Sequence, residues 1–255
     1  MKYKFIYLGI ILTIIIIIFI IINNYNYDVF NNNPTIIFLN KNEISAFIQK
    51  DEDNYIKNLS IYDLRARKVK TNQEYLNRSA NSSLDLTLEQ KKKLIYCCNE
   101  ANNYFNNNLN WVFAFMSNDY EEGLPHTRGN IIFISPIIIE YDKNQLIKTL
   151  IHESIHIYQR YNKEIIDNYL KSNGFIAIKN RNSEKLIRSN PDLDEFIYIN
   201  KDGKEMAAYY SSEYPSGITD TKLKSLIEEH PFEYMAYTIA EKYSKKSLEK
   251  YKNLT

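Results

Sequence analysis

Apolar residues recur at helical spacing between residues 142 and 161: Leu146, Ile147, Leu150, Ile151, Ser154, Tyr158 and Tyr161 fall on one stripe. Asp142 followed three positions later by Gln145 reads as a capping box at the start of that helix. Thr87 and Gln90 repeat the signal ahead of a second helix, predicted to run to Tyr104. A third helix is expected over residues 43–59, with Ile44, Phe47, Ile48 and Ile56 inward, whereas residues 67–85 have weak periodicity and read as loop. Short strands are predicted over residues 35–39, 111–116 and 130–135, the last two separated by a polar loop containing LPHTRG. Residues 196–200 and 205–210 read as a hairpin turning at Asp202-Gly203, and two helices, 221–229 and 231 to about 251, close the chain. Pro231 suits a first helical position. The pattern predicts an α+β body, a small mixed or antiparallel sheet packed on several helices.

Ahead of that body lies an uncharged apolar run, FIYLGIILTIIIIIFIII, residues 5–22, about the minimum length of a bilayer-spanning helix. Lys2 and Lys4 precede it and no Lys or Arg follows before Lys41, which favours a cytoplasmic N-terminus. The first alanine is Ala46, so a small-residue cleavage site is lacking and an uncleaved signal-anchor is expected over a cleaved signal peptide. The expected organisation is a transmembrane signal-anchor at 1–22, an Asn-rich tether at 23–34 and one domain at 35–255. It implies a single-pass membrane protein whose domain is lumenal or extracellular, a viral membrane included.

Charge changes the picture little. The formal net charge of the 255 residues is +1 and no basic block stands out, so nucleic acid is not an expected partner. Cys97 and Cys98 are adjacent and match no C-x-x-C spacing, so buried structural thiols are expected. Asn58, Asn77, Asn81 and Asn253 begin N-x-S/T sequons in a chain whose Asn content would produce several by chance.

Candidate chemistry sits on the first helix described. The chain has four histidines, and two of them, His152 and His156, stand four apart with Glu153 directly after the first. On a helix, residues i and i+4 share a face, so both imidazoles can address one ion. Glu153, about 100° around the axis, stands beside that ion as a base would. A third protein ligand is needed, with a position left for water. Glu233 is the leading candidate, since it shares a helical face with Ala236, Tyr237 and Ala240, and two alanines would let its helix approach closely. His230 is the runner-up, with Glu228, Glu229, His126 and Asp192 behind it.

HESIH with a downstream helical E-x-x-A resembles the gluzincin side of the zincin metallopeptidases, in which two motif histidines and a later glutamate bind zinc. The chain departs from the thermolysin pattern at Tyr237, where an acidic residue would follow Glu233 by four, and lacks the metzincin third histidine. The resemblance implies a zincin-like domain, Zn2+ held by His152, His156 and Glu233, and hydrolysis of a peptide or protein substrate. Glu153 would accept a proton from an activated water and pass it to the leaving amine. Transition-state or substrate contacts are expected among His230, His126 and Tyr210, with Arg128, Tyr209 and Tyr214 also in view. The resemblance further implies that residues 130–135, the strand before the active-site helix, pair with an extended substrate; an ordinary interior strand is the alternative. Two other functions fit the same motif: a metal hydrolase of non-peptide amides, and an inactive zincin-like binding or surface protein.

Overall fold

The structure, a computed structural model, describes residues 34–106, 108–224 and 228–243. The chain divides into two units, Met1–Thr35 and Ile36–Thr255, and the described fold belongs almost entirely to the second. The expected membrane anchor, most of the tether, the Asn253 sequon and the last turns of the closing helix lie outside the described residues. Among those that are described, no helix is long and apolar enough to cross a membrane. The expected fold class, with a transmembrane helix ahead of the domain, is corrected accordingly, and so is the membrane-anchored, lumenal or extracellular placement drawn from it. The described architecture is α+β, with eight α-helices and three sheets.

The principal sheet has the order β1-β2-β4-β3. Strands β1 (Ile36–Phe38), β2 (Trp111–Phe115) and β4 (Ile131–Ile134) run parallel, and β3 (His126–Arg128) lies antiparallel at the edge. Every residue of β2 and β4 is buried, as expected of strands covered on both faces. Period-two alternation divides their side chains between two cores. Trp111, Phe113, Phe115, Ile132 and Ile134 join a cluster with α4 (Leu88–Tyr104), α6 (Lys143–Tyr161) and α8 (Pro231–Ala240). Val112, Ala114, Ile131 and Phe133 point the other way, onto α1 (Lys41–Lys50) and α3 (Asn72–Ala80). This three-layer arrangement buries two cores with one sheet and lays α6 flat against its inner face.

Local chemistry explains where elements start and stop. Thr87 and Gln90 exchange both bonds of the capping box, Gln90 N–H donating to Thr87 Oγ1 at 3.2 Å and Thr87 N–H to Gln90 Oε1 at 2.9 Å. Asp142 caps α6 by accepting from the Gln145 backbone at 3.0 Å. The helix expected over 43–59 ends at Lys50, because Asp51 turns left-handed (φ +44°) and its carboxylate takes the N–H groups of Ile56 and Lys57. Residues 67–85, expected as loop, contain α3, which Thr71 caps and whose Tyr75 and Ala80 are buried. The segment expected as a helix from Thr221 begins instead as β9 (Thr221–Leu223), which pairs with β8 (Ala208–Tyr210). The LPHTRG loop supplies β3.

The predicted hairpin is present as β6 (Phe196–Ile199) and β7 (Glu205–Met206), with β5 (Ile176–Asn180) completing that sheet, but its second strand, expected to reach Tyr210, stops at Met206, and β8 pairs with β9 in another sheet. Gly203 takes φ +72° at the turn, a conformation that favours glycine. Between the sheets, α2 (Ile61–Ala66), α5 (Pro136–Glu140) and α7 (Lys163–Ser172) complete the helices. Cys97 and Cys98 are free and buried in the α4 core.

Arg128 is wholly buried at the end of β3 and is neutralised by a fork of carboxylates. Its Nη2 donates to Asp51 Oδ1 at 2.6 Å and to Asp53 Oδ1 at 2.5 Å, and its Nε donates to Asp53 Oδ2 at 2.9 Å. A charge so placed is costly to leave unpaired, so deleting one partner is worse than never having the pair. Arg128→Met is expected to lower stability by about 3 kcal/mol in denaturant unfolding, whereas Lys41→Met, which removes an exposed ion pair to Asp85, should cost under about 1 kcal/mol.

Candidate metal centre

Two helices bring the site together. Helix α6 carries His152 and His156 one turn apart with Glu153 directly after the first, and α8 supplies Glu233 in its first turn, where the helix dipole favours a carboxylate. Pro231 fixes the opening of α8 and His230 caps it, its Nδ1 accepting from the Phe232 backbone at 3.1 Å. Ala236 is fully buried, and the small side chain lets α8 lie close on α6.

The resulting geometry is that of a cation site. His152 Nε2 and His156 Nε2 are 3.0 Å apart, and Glu233 Oε2 is 3.2 Å from the first and 3.7 Å from the second. These separations bracket the roughly 3.3 Å edge of a tetrahedron built on zinc–ligand bonds of about 2.0–2.1 Å. Among the described residues this trio is the one cluster of His, Cys, Asp and Glu groups that meets the spacing for a shared ion.

Supporting hydrogen bonds fix each donor. His156 Nδ1–H donates to Gln159 Oε1 at 2.9 Å, which turns Nε2 toward His152 and Glu233, and Gln159 Nε2 donates onward to the Phe232 carbonyl on α8 at 3.1 Å. One amide thus sets a ring orientation and ties the helices together. Asn190 Nδ2 donates to Glu233 Oε1 at 3.0 Å and to Glu229 Oε1 at 2.8 Å, turning Glu233 Oε2 toward the imidazoles.

Electrostatics are set by burial and by crowding of acids. Burial disfavours a charge on His156, but the carboxylates of Asp192 and Glu233 outweigh it and push the ring up to about 10. Burial works against the Glu233 carboxylate as well, yet the His156 and His152 rings hold it well below the usual carboxylate range. Glu153 goes the opposite way: burial first, then the Asp192 carboxylate, raises it well above an ordinary glutamate. Its Oε2 is buried without a hydrogen-bond partner. An orphaned carboxylate oxygen beside three converging donors is out of place in a purely structural site.

The site opens on a cleft of about 490 Å³ whose walls include His126, His152, Glu153, Asp192, Glu233 and Tyr237. Glu228 lines it as well, pushed up to about 7 by burial and by Glu233 and Glu229. Of the residues weighed from sequence, His126 reaches this wall, stacked on Phe133 with its Nδ1–H donating to the Leu124 carbonyl at 3.1 Å. Burial lowers its pKa, so the ring is neutral and its Nε2 is an acceptor. Three other candidates are committed elsewhere. His230 is fully buried and uses both nitrogens, the second donating to Asp194 Oδ1 at 3.1 Å. Tyr210 donates its hydroxyl to Asp63 at 2.9 Å and lies outside the cleft lining. Tyr209 is likewise held by Glu205.

Residues 130–135, expected as a substrate-pairing strand, form interior β4, flanked by β2 and β3. The edge beside β4 is β3, and the outward groups of its central residue are taken: Thr127 N–H donates to Asp192 Oδ1 at 2.8 Å and the Thr127 carbonyl accepts from Arg160 Nη2 at 2.9 Å. Asp192, weighed as a ligand, therefore serves to close an edge. Asn190 carried no local signal; 43 positions separate it from the glutamate it orients.

Neither a family model, nor a curated protein, nor a solved structure matches the chain.

Binding of a divalent ion needs the lone pair on His156 Nε2, and a ring pushed up to about 10 carries a proton there at neutral pH. The carboxylate stabilisation of that cation is full below the ordinary histidine range and fades as pH rises through about 10, so metal affinity should climb with pH across the neutral range. Calorimetric titration of zinc into the protein at pH 7, in buffers of differing ionisation enthalpy, should register release of about one proton per ion. Gln159→Leu should weaken zinc binding by about 10- to 100-fold through the loss of His156 orientation.

Proposed function

We propose that the chain is a zinc-dependent metallopeptidase. The observation that carries this reading is the convergence of His152 Nε2, His156 Nε2 and Glu233 Oε2 within 3.0–3.7 Å of one another, beside a buried carboxylate that has one oxygen unpartnered. Two imidazoles and one carboxylate are a donor set suited to zinc and leave a fourth position for chemistry. The H-E-x-x-H order, with a glutamate from a later helix, resembles the gluzincin arrangement.

A bound ion of this kind supplies Lewis-acid polarisation of a water and of the scissile carbonyl. The chain's own residues supply the rest. Glu153, whose pKa is raised by burial and by Asp192, takes a proton from the attacking water as the new C–O bond forms. It returns that proton to the amine nitrogen as the C–N bond breaks, so its charge state is restored at the end of the cycle. Gln159 and Asn190 keep the His156 ring and the Glu233 carboxylate aimed while charge shifts around them.

Metal analysis paired with a peptidase assay tests the reading. Glu153→Gln should keep zinc near one equivalent while turnover falls by about 10²- to 10⁴-fold. His152→Ala, His156→Ala and Glu233→Ala should lose zinc and turnover together. Zinc retained without Glu153-dependent peptide cleavage would remove the peptidase assignment and favour either a binding protein or a hydrolase of non-peptide amides.

A further inference from the structure

A peptidase of the kind proposed above needs a hydrogen-bond donor where the scissile carbonyl oxygen becomes an oxyanion. Several groups near the site fail that requirement. The neutral His126 ring offers an acceptor nitrogen, because its other nitrogen donates to Leu124. His230 is sealed between Asp194 and the Phe232 N–H. The Arg160 guanidinium is engaged by Thr127, Gly129 and Pro191, and Arg188 donates through Nη2 to Glu229 while its unpartnered Nε is sealed from the cleft by burial. The Asn190 amide is held by Glu229 and Glu233.

Tyr237 differs from all of these. It follows Glu233 by four residues on α8, so its side chain rises from the same helical face one turn later. Its ring meets the His152 imidazole edge-on, with centroids 4.4 Å apart and planes inclined at 63°. It lines the cleft with Glu153 and is 47% exposed, although it packs directly on a ligand side chain. Among the described residues its hydroxyl makes no hydrogen bond, whereas the hydroxyls of Tyr209 and Tyr210 are engaged by Glu205 and Asp63. A tyrosine phenol, with an ordinary pKa of about 10, is a donor at neutral pH.

We propose that Tyr237 is a further catalytic residue of this site, its hydroxyl donating a hydrogen bond to the carbonyl oxygen of the substrate as negative charge develops there. The proposal rests on the peptidase reading. No proton is transferred; the O–H remains on tyrosine, and the bond strengthens only while the oxygen is anionic, so its effect falls on the transition state more than on the bound substrate. The ring packs on His152 and lines the cleft, which places the phenol beside the metal trio.

The test uses the full chain loaded with zinc and fluorescein-labelled casein as the probe, comparing wild type with Glu153→Gln, Tyr237→Phe and Tyr237→Leu. Tyr237→Phe keeps the ring and removes the hydroxyl, so kcat should fall on the order of 100-fold while KM and zinc stoichiometry stay within about 2-fold of wild type. Tyr237→Leu should lose as much turnover and additionally weaken zinc, because the packing on His152 is lost. If Tyr237→Phe turns over at the wild-type rate and only Tyr237→Leu is impaired, the ring is a structural prop and the catalytic role is overturned. If Tyr237→Phe loses zinc in proportion to its activity, the role is overturned in favour of metal retention. Casein cleavage that is absent in wild type, or unchanged in Glu153→Gln, overturns the peptidase reading and this assignment with it. Wild-type cleavage that depends on Glu153 but not on the hydroxyl overturns this assignment alone.

Discussion

The close approach of α8 to α6 is the constraint on which the site depends. Two imidazoles on one helix are fixed by sequence spacing, but the carboxylate that completes the trio must come from 77 positions beyond His156, and a glutamate side chain is short. Ala236, with no exposed surface, makes that approach sterically possible, and Gln159 spans the two helices by bonding a ring on one and a backbone carbonyl on the other. The apolar core beneath, where Leu150, Ile151 and Ile155 meet Met235 and Ala240, holds the pair in register. Separating the axes by the width of one larger side chain would take the third donor out of range while leaving both histidines in place.

The same packing explains why acids accumulate around the trio without destabilising it. Glu233 is balanced by the rings it faces, Asp192 by Arg160 and two groups of Thr127, and Glu229 by Arg188 and Asn190. Glu153 and Glu229 are each buried with one oxygen unanswered. Glu229 keeps one oxygen on Arg188 and Asn190, whereas Glu153, the residue that the motif marks as a base, lies beside the two imidazoles on its own helix.

What could be read from sequence was governed by range. The α6 helix, the Thr87 box, the two buried strands and the Asp-Gly turn are local signals, set by spacing, capping and left-handed backbone, and each is found close to its expected place. Glu233 was reachable because Ala236 and Ala240 share its helical face. The failures are tertiary. β3 is a three-residue strand that exists because β4 lies beside it, and α3 is a polar helix held by the burial of Tyr75. Asp51 ends its helix by taking two downstream N–H groups, a contact with no periodic signature. Asn190 and Tyr237 show the same divide within the site: the first is placed by the fold alone, and the second was visible as a departure from the thermolysin pattern before its contact with His152 gave it a place.

The occupied centre of β3 bears on what could be added to the principal sheet on that side. Strand addition recognises main chain and is therefore nearly indifferent to side-chain identity. Here the central residue of β3 has both outward groups satisfied by Asp192 and Arg160, so the sheet cannot be extended at that point while those bonds hold. The same closure keeps a second copy of the protein from pairing at the centre of β3, which leaves β1 as the sheet's other edge.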